Sequence, residues 1–225
     1  GAIIRGDTTK KQIALVLTGD TFGDGGKIIR KTLRGLNTKA SFFLTGNFYR
    51  DQAFRSIISR LKKDGHYLGA HSDKHLLYCD WTRRDSLLVT QTEFSEDLLA
   101  NYREMEKFGI RQEDAPYFLP PYEWYNDSIS TWTRDLGLTL VNFTPGTLSH
   151  ADYTTPDMKN YRSSESIYSS IMQYESKNGM NGFILLIHIG TDPARTDKLY
   201  NRLDELIMEL KQRGYGFARI DELLK

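Results

Sequence analysis

The sequence predicts the α/β class, arranged as a distorted (β/α)7-type barrel. Two observations point there. Short apolar, β-branched runs alternate with amphipathic stretches along the whole chain, the pattern of a mostly parallel sheet covered by helices. Polar residues also recur just after the strands, at Thr18 and Asp20, Thr45 and Asn47, His71 and His75, Tyr122, Thr144, and His188 with Thr191 and Asp192. Such a rim at the C-terminal strand ends is where β/α folds build their sites. An open doubly wound sheet is the alternative arrangement.

Residues 12–18 (QIALVLT) read as a buried strand, and a Gly/Asp-rich turn follows. Helical spacing over 27–36 puts Ile28, Ile29, Leu33 and Leu36 in register. A second strand covers 39–44. Asp51 then caps a helix to about Lys63, with Phe54, Ile57, Ile58 and Leu61 on one face and Asp64-Gly65 ending it. Residues 67–70 form a third strand. A long helix over 89–107 turns Phe94, Leu98, Tyr102 and Met105 inward. Pro120-Pro121 stop a short strand at 117–119. A helix over 128–136 and a strand over 138–143 come next. Residues 144–163, rich in Thr, Ser, Pro and Asp, form a long loop, and loops of that length usually carry function. A helix over 164–176, the most hydrophobic strand at 182–189, a helix over 196–213 and a last strand at 215–219 complete the chain. No internal repeat or low-complexity segment interrupts it.

The 225 residues suit one large core, expected as a single domain over 1–225 with its core from about residue 12. Lys and Arg number 30 against 29 Asp and Glu, so no basic field invites nucleic acid. A lone cysteine, Cys79, excludes an internal disulfide framework and a cysteine-ligated metal; it reads as an inert thiol. No apolar run reaches membrane-spanning length. The chain opens on Gly1 rather than Met, which suggests that an export signal has been removed, so a periplasmic or cell-surface location is expected. Nothing in the pattern fixes an oligomeric state.

The chemistry centres on His71-Ser72-Asp73-Lys74-His75. If this segment is helical, the two imidazoles share a face and reach one metal ion. Catalytic zinc commonly takes three protein ligands plus water. Asp20, at the first strand end, is the best-placed third ligand, with Asp24 in the same turn as competitor. The Gly-rich turn fails as a phosphate loop, because that frame needs Gly at Thr21 and Ser or Thr at Ile28. His188 is either a core histidine or a functional one. Tyr122 and Trp124 divide between core packing and sugar stacking. His66 and His150 are expected at the surface.

Several segments together resemble the polysaccharide deacetylases of carbohydrate esterase family 4, the NodB-homology domain. They are Lys11-x-Ile13-Ala14-Leu15, Lys39-Ala40-Ser41-Phe42-Phe43-Leu44-Thr45-Gly46, Gly69-Ala70-His71 through His75, Pro120-Pro121-Tyr122 and Leu185-Leu186-Ile187-His188. The resemblance runs from about Gln12 to the C-terminus. It implies a distorted β/α barrel that removes acetyl groups from a carbohydrate. It implies a divalent metal, zinc first with cobalt or nickel as substitutes, held by Asp20, His71 and His75. Tyr122 matches the aromatic whose backbone N–H helps hold the oxyanion, and His188 matches the acid that protonates the leaving group.

The chain also departs from the family. Where the first motif reads T-F-D-D-G, Leu17-Thr18-Gly19-Asp20 puts Gly19 in the general-base position, allowing a small alignment shift. Leu119 replaces the arginine before Pro-Pro, which pairs with that base in the family. Losing both is coherent, since losing one strands a buried charge at a cost of ~3–5 kcal/mol. The Asp-Trp pair that supports the acidic histidine is missing, leaving Asp152 or Asp157 as substitutes. Asp24, Glu123 or a metal hydroxide remain to activate water. The readings that follow are a metal-dependent deacetylase, a catalytically silent glycan-binding relative, and a hydrolase of some other amide.

Overall fold

The computed structural model describes all residues from Gly1 to Lys225. Strand β1 (Gln12–Gly19) is apolar and fully enclosed along Ile13–Leu17. It lies between β2 (Ser41–Leu44) and β6 (Phe183–His188), and all pairings within the sheet are parallel. The order continues from β2 to β3 (Tyr67–Ala70), β4 (Tyr117–Phe118) and β5 (Thr139–Leu140). The short β7 (Gly216–Phe217) pairs with the start of β1.

No pairing joins β5 to β6 directly, so the sheet curls without closing: it is a distorted, incomplete barrel. Residues upstream of the expected core partly fill the gap. Ile3 bridges to Val141 and Arg5 to Phe183, and Gly6 N–H donates to the Gly182 carbonyl. The reason is the unmet backbone of the two edge strands.

Helices cover the outside: α1 (Gly26–Gly35), α2 (Gly46–Arg50), α3 (Arg55–Lys63), α4 (Gln91–Glu106), α5 (Asp127–Asp135), α6 (Ser164–Asn178), α7 (Leu203–Gln212) and α8 (Ile220–Leu223). Thr90 caps α4 in a reciprocal box with Glu93, and Phe94, Leu98, Tyr102 and Met105 are buried as the spacing required. Two expectations shift. Asp51 does not cap α3, which begins at Arg55; instead Thr45 caps the short α2 by accepting from Phe48 N–H. The 196–213 segment divides into a 3-10 turn and α7. No helix is long and apolar enough to cross a membrane.

Register aligns the strand ends. Gly19 sits opposite Leu44, Leu44 opposite Ala70, Ala70 opposite Phe118, and Thr18 opposite His188. The residues that follow these ends therefore meet on one rim.

Candidate active site

A cavity of about 580 Å³ opens on that rim. Asp20, His71, His75, Tyr122 and His188 all line it, together with Trp81, Glu123, His150 and Tyr153. Trp124 does not. Its indole N–H donates to the Asp80 carbonyl (3.3 Å), Arg84 covers its face at 4.1 Å, and it backs Trp81 at 5.6 Å. Trp81 is the most exposed of the aromatics lining the cavity, 54% accessible.

The His71–His75 segment is not a helix. Ser72 and His75 take positive φ (70° and 56°), so the chain makes a tight turn, yet the rings still lie 5.1 Å apart. Helix α4 fixes this turn. Asn101 accepts from His71 N–H (2.8 Å), while the Asp97 carboxylate accepts from the N–H groups of Asp73 and Lys74 (both 3.1 Å). Both residues fall on the apolar stripe of the helix. A polar side chain on a buried stripe must find a partner, and that was the available signal for them.

His71 Nδ1 lies 2.7 Å from the Leu119 carbonyl. A carbonyl only accepts, so Nδ1 carries the proton and Nε2 keeps a lone pair. Burial holds His71 well below the usual imidazole range, and burial lowers His75 too, against the opposing charge of Asp20. Asp20 Oδ1 accepts from Thr45 Oγ1 (2.8 Å) and Asn47 Nδ2 (3.2 Å), leaving Oδ2 without a hydrogen bond. Two neutral imidazoles and a carboxylate are the right donor chemistry for a borderline divalent ion. As placed, however, no three His, Cys, Asp or Glu side chains converge closely enough to hold a metal.

Across the cavity, Asp152 grips His188 twice. Its Oδ1 is 2.6 Å from His188 Nδ1, and its Oδ2 accepts from His188 N–H (2.9 Å). This resolves the choice left open by the sequence: Asp157 instead pairs with Thr155 in its own turn. Burial by itself would lower His188, but the Asp152 charge and hydrogen bond, with the Glu123 charge, raise it above the ordinary imidazole value. Asp152 rides on a 3-10 turn, Ser149–Tyr153, inside the long loop. Fully buried Arg195 clamps that loop by donating to the carbonyls of Thr154 (2.6 Å) and Arg162 (3.0 Å).

Other expectations are corrected. His150 is half-buried, lines the cavity and stacks on Phe143 at 4.7 Å. His66 is buried, accepts from Ala40 N–H and is pushed down to about 4 by burial. Both rings are drawn in by aromatic neighbours, His66 edge-on to Phe42 at 5.4 Å and His150 flat on Phe143. Asp24 is no ligand competitor: it accepts from Tyr200 Oη (2.5 Å) and Thr191 N–H (2.9 Å), and pairs with Lys198.

Gly19 lines the cavity with its backbone, but a side chain at this position would not point into it. A Cβ there would meet Ile189 at 2.6 Å and Leu44 at 2.9 Å, in the packing between strands. Thr18, the preceding residue of β1, lines the cavity, and its buried Oγ1 has no partner. Strand alternation explains the difference. The inward position at this strand end belongs to Thr18, one residue before the place the motif spacing indicated.

Comparison with known proteins agrees with the fold. The polysaccharide deacetylase family model matches residues 5–141, more than half of the chain. Peptidoglycan-N-acetylmuramic acid deacetylase PdaA of Bacillus subtilis is 26% identical over 225 residues, covering 99% of this chain and 75% of that protein. A peptidoglycan-N-acetylglucosamine deacetylase of Bacillus cereus is 26% identical over 194 residues, covering 86% and 78%. Among solved structures, a Bacillus anthracis protein described as a pseudoenzyme of carbohydrate esterase family 4 superposes with a TM-score of 0.75 at 21% identity, covering 100% of this chain and 69% of that one. With a family model spanning β1 to β5 and the same fold in its relatives, the chain belongs to the polysaccharide deacetylase family, carbohydrate esterase family 4.

Proposed function

We propose that this protein hydrolyses acetyl groups from a glycan, with His188 protonating the departing nitrogen or oxygen. The observation that carries the reading is the Asp152–His188 pair, held at 2.6 Å and facing the cavity that Asp20, His71 and His75 line from the other side. A histidine raised above its ordinary value keeps a proton to give near neutral pH, as a general acid must. Asp20, His71 and His75 would hold a divalent ion, zinc by preference; bound there, such an ion polarises a carbonyl and lowers the pKa of water. The backbone N–H of Tyr122 is proposed to stabilise the oxyanion. Peptidoglycan fits as the substrate class, from the names of the two Bacillus relatives, and an exported location goes with it.

The test is acetate release from N-acetylglucosamine oligomers and O-acetylated xylan, with metal analysis of the same sample. Metal and acetate together are expected, and chelation should remove both. A second reading, a silent glycan binder, is favoured by the absence of a second carboxylate beside Asp20 at the end of β1. It also draws on the likeness to the B. anthracis pseudoenzyme, of which a variant is described as having restored enzymatic activity. Glycan binding without acetate or metal would establish that reading.

Trp81 stands at the mouth beside Tyr122, ring centroids 5.5 Å apart, and offers a face to a sugar ring. Trp81→Ala is expected to raise KM about tenfold, a loss of about 1.4 kcal/mol, with kcat little changed. Initial rates on a soluble oligomer check this.

A further inference from the structure

Water activation needs a carboxylate that reaches the cavity and is free to take a proton, and most of the acidic groups around it are engaged. Asp152 is held by His188 and Asp20 by Thr45 and Asn47, while Asp24 lies outside the cavity, tied to Tyr200 and Lys198. Asp192 accepts from Ala194 N–H in its own turn. Glu123 differs: it lines the cavity and its carboxylate makes no hydrogen bond or ion pair. Its backbone is locked instead, with N–H donating to the Pro120 carbonyl (3.0 Å) and its carbonyl accepting from Asn142 Nδ2 (2.7 Å).

The turn that presents it is strained. Tyr122 and Glu123 both take left-handed φ, 58° and 54°, consecutively and without glycine. L-residues rarely adopt this conformation, and strain of this kind collects where a side chain must be aimed.

We propose that Glu123 is the general base of this site, taking the role of the carboxylate missing from the end of β1. The inference rests on the deacetylase reading above. The water oxygen bonds to the acetyl carbon as one of its protons passes to the Glu123 carboxylate. The bond to the leaving nitrogen or oxygen then breaks with its electron pair, that atom takes the proton of His188, and acetic acid departs. Solvent returns the Glu123 proton to His188. Burial pushes the Glu123 carboxyl up to about 7, with Asp152 raising it and the His188 charge opposing, so this carboxylate can take and release a proton near neutrality. The other titratable groups facing this cavity are Asp20 after β1, His71 and His75 after β3, Tyr122 beside Glu123, His150 and Tyr153 of the 3-10 turn, and Asp192 after β6.

The test compares the wild type with Glu123→Gln on the acetylated oligomer, from pH 5 to 9. The isosteric variant is expected to lose about a hundredfold or more in kcat/KM and to lose the rising limb near pH 7, with KM little changed. Thermal unfolding supplies a readout independent of turnover. A carboxyl raised in the folded state costs stability as pH climbs from its unfolded value through about 7, so wild-type Tm should fall relative to Glu123→Gln across that window. Wild-type turnover with an unaltered rate and pH profile in Glu123→Gln overturns the inference alone. A wild type that binds metal but releases no acetate overturns the deacetylase reading and this inference with it.

Discussion

His188→Ala is expected to lower kcat about 10²–10⁴-fold, the usual worth of a positioned acid, with metal content and fold retained. Asp152 acts through it: the carboxylate fixes the ring by bonding Nδ1 and the backbone N–H of the same residue, leaving Nε2 toward the cavity. Asp152→Asn should therefore do something that a merely structural residue would not. His188 works protonated, so activity falls as pH rises through its pKa. Removing the Asp152 charge lowers that pKa, and the high-pH limb of kcat/KM should move to lower pH. Stability follows the same sign. The raised histidine stabilises the fold below its unfolded value near 6.5 and loses that contribution as pH rises through its folded value. Asp152→Asn should flatten this dependence. A full pH–rate profile and Tm measured across pH check both; an unmoved limb would remove Asp152 from the mechanism.

Gly46→Ala should be strongly destabilising, at about 3–5 kcal/mol. Gly46 follows β2, and its N–H donates to the Ser72 carbonyl in the histidine turn (3.0 Å). A Cβ here would fall onto Asp73 Oδ1 and lie 2.7 Å from Asp73 Cγ. That carboxylate is buried and bound by Arg50 at 2.6 and 3.2 Å. The methyl group cannot enter without breaking this ion pair or pulling the histidine turn from the strand end. Urea unfolding should show the lost stability, and metal affinity should fall with it. Gly35→Ala, where a Cβ meets nothing within 4 Å, is the control.

Much of this was legible in the sequence. Alternating periodicity located each strand because the buried runs are short and uniformly apolar, and the rim followed from where those runs end. His71, His75, Asp20, Tyr122 and His188 were found that way, and the structure puts all five around one cavity. Periodicity says nothing about partners across the fold. Asp152 and Asp157 looked alike in a loop without pattern, and only the docking of that loop on β6 separates them. Trp81 had no periodic context at all. The helical reading of His71–His75 failed because Asp97 and Asn101, from a helix some thirty residues on, stabilise a turn instead. At Gly19 the motif spacing and the pleat say different things: spacing counts residues, whereas the pleat turns a Cβ at this position into the packing between strands and Thr18 toward the cavity.

The position of β1 bears on how the chain folds. One edge of β1 pairs with β2 soon after synthesis, but the other waits for β6, with Thr18 opposite His188 across most of the chain. Until then one edge of this apolar strand has no partner, in a topology of high contact order that folds slowly and exposes a template for misassociation. The strap at Ile3 and Arg5 also waits, since Arg5 needs Phe183. A chain halted before β6 would carry Asp20, His71 and His75 yet lack both His188 and the strand that covers the second edge of β1. Assembly of the rim and completion of the fold are thus a single late event.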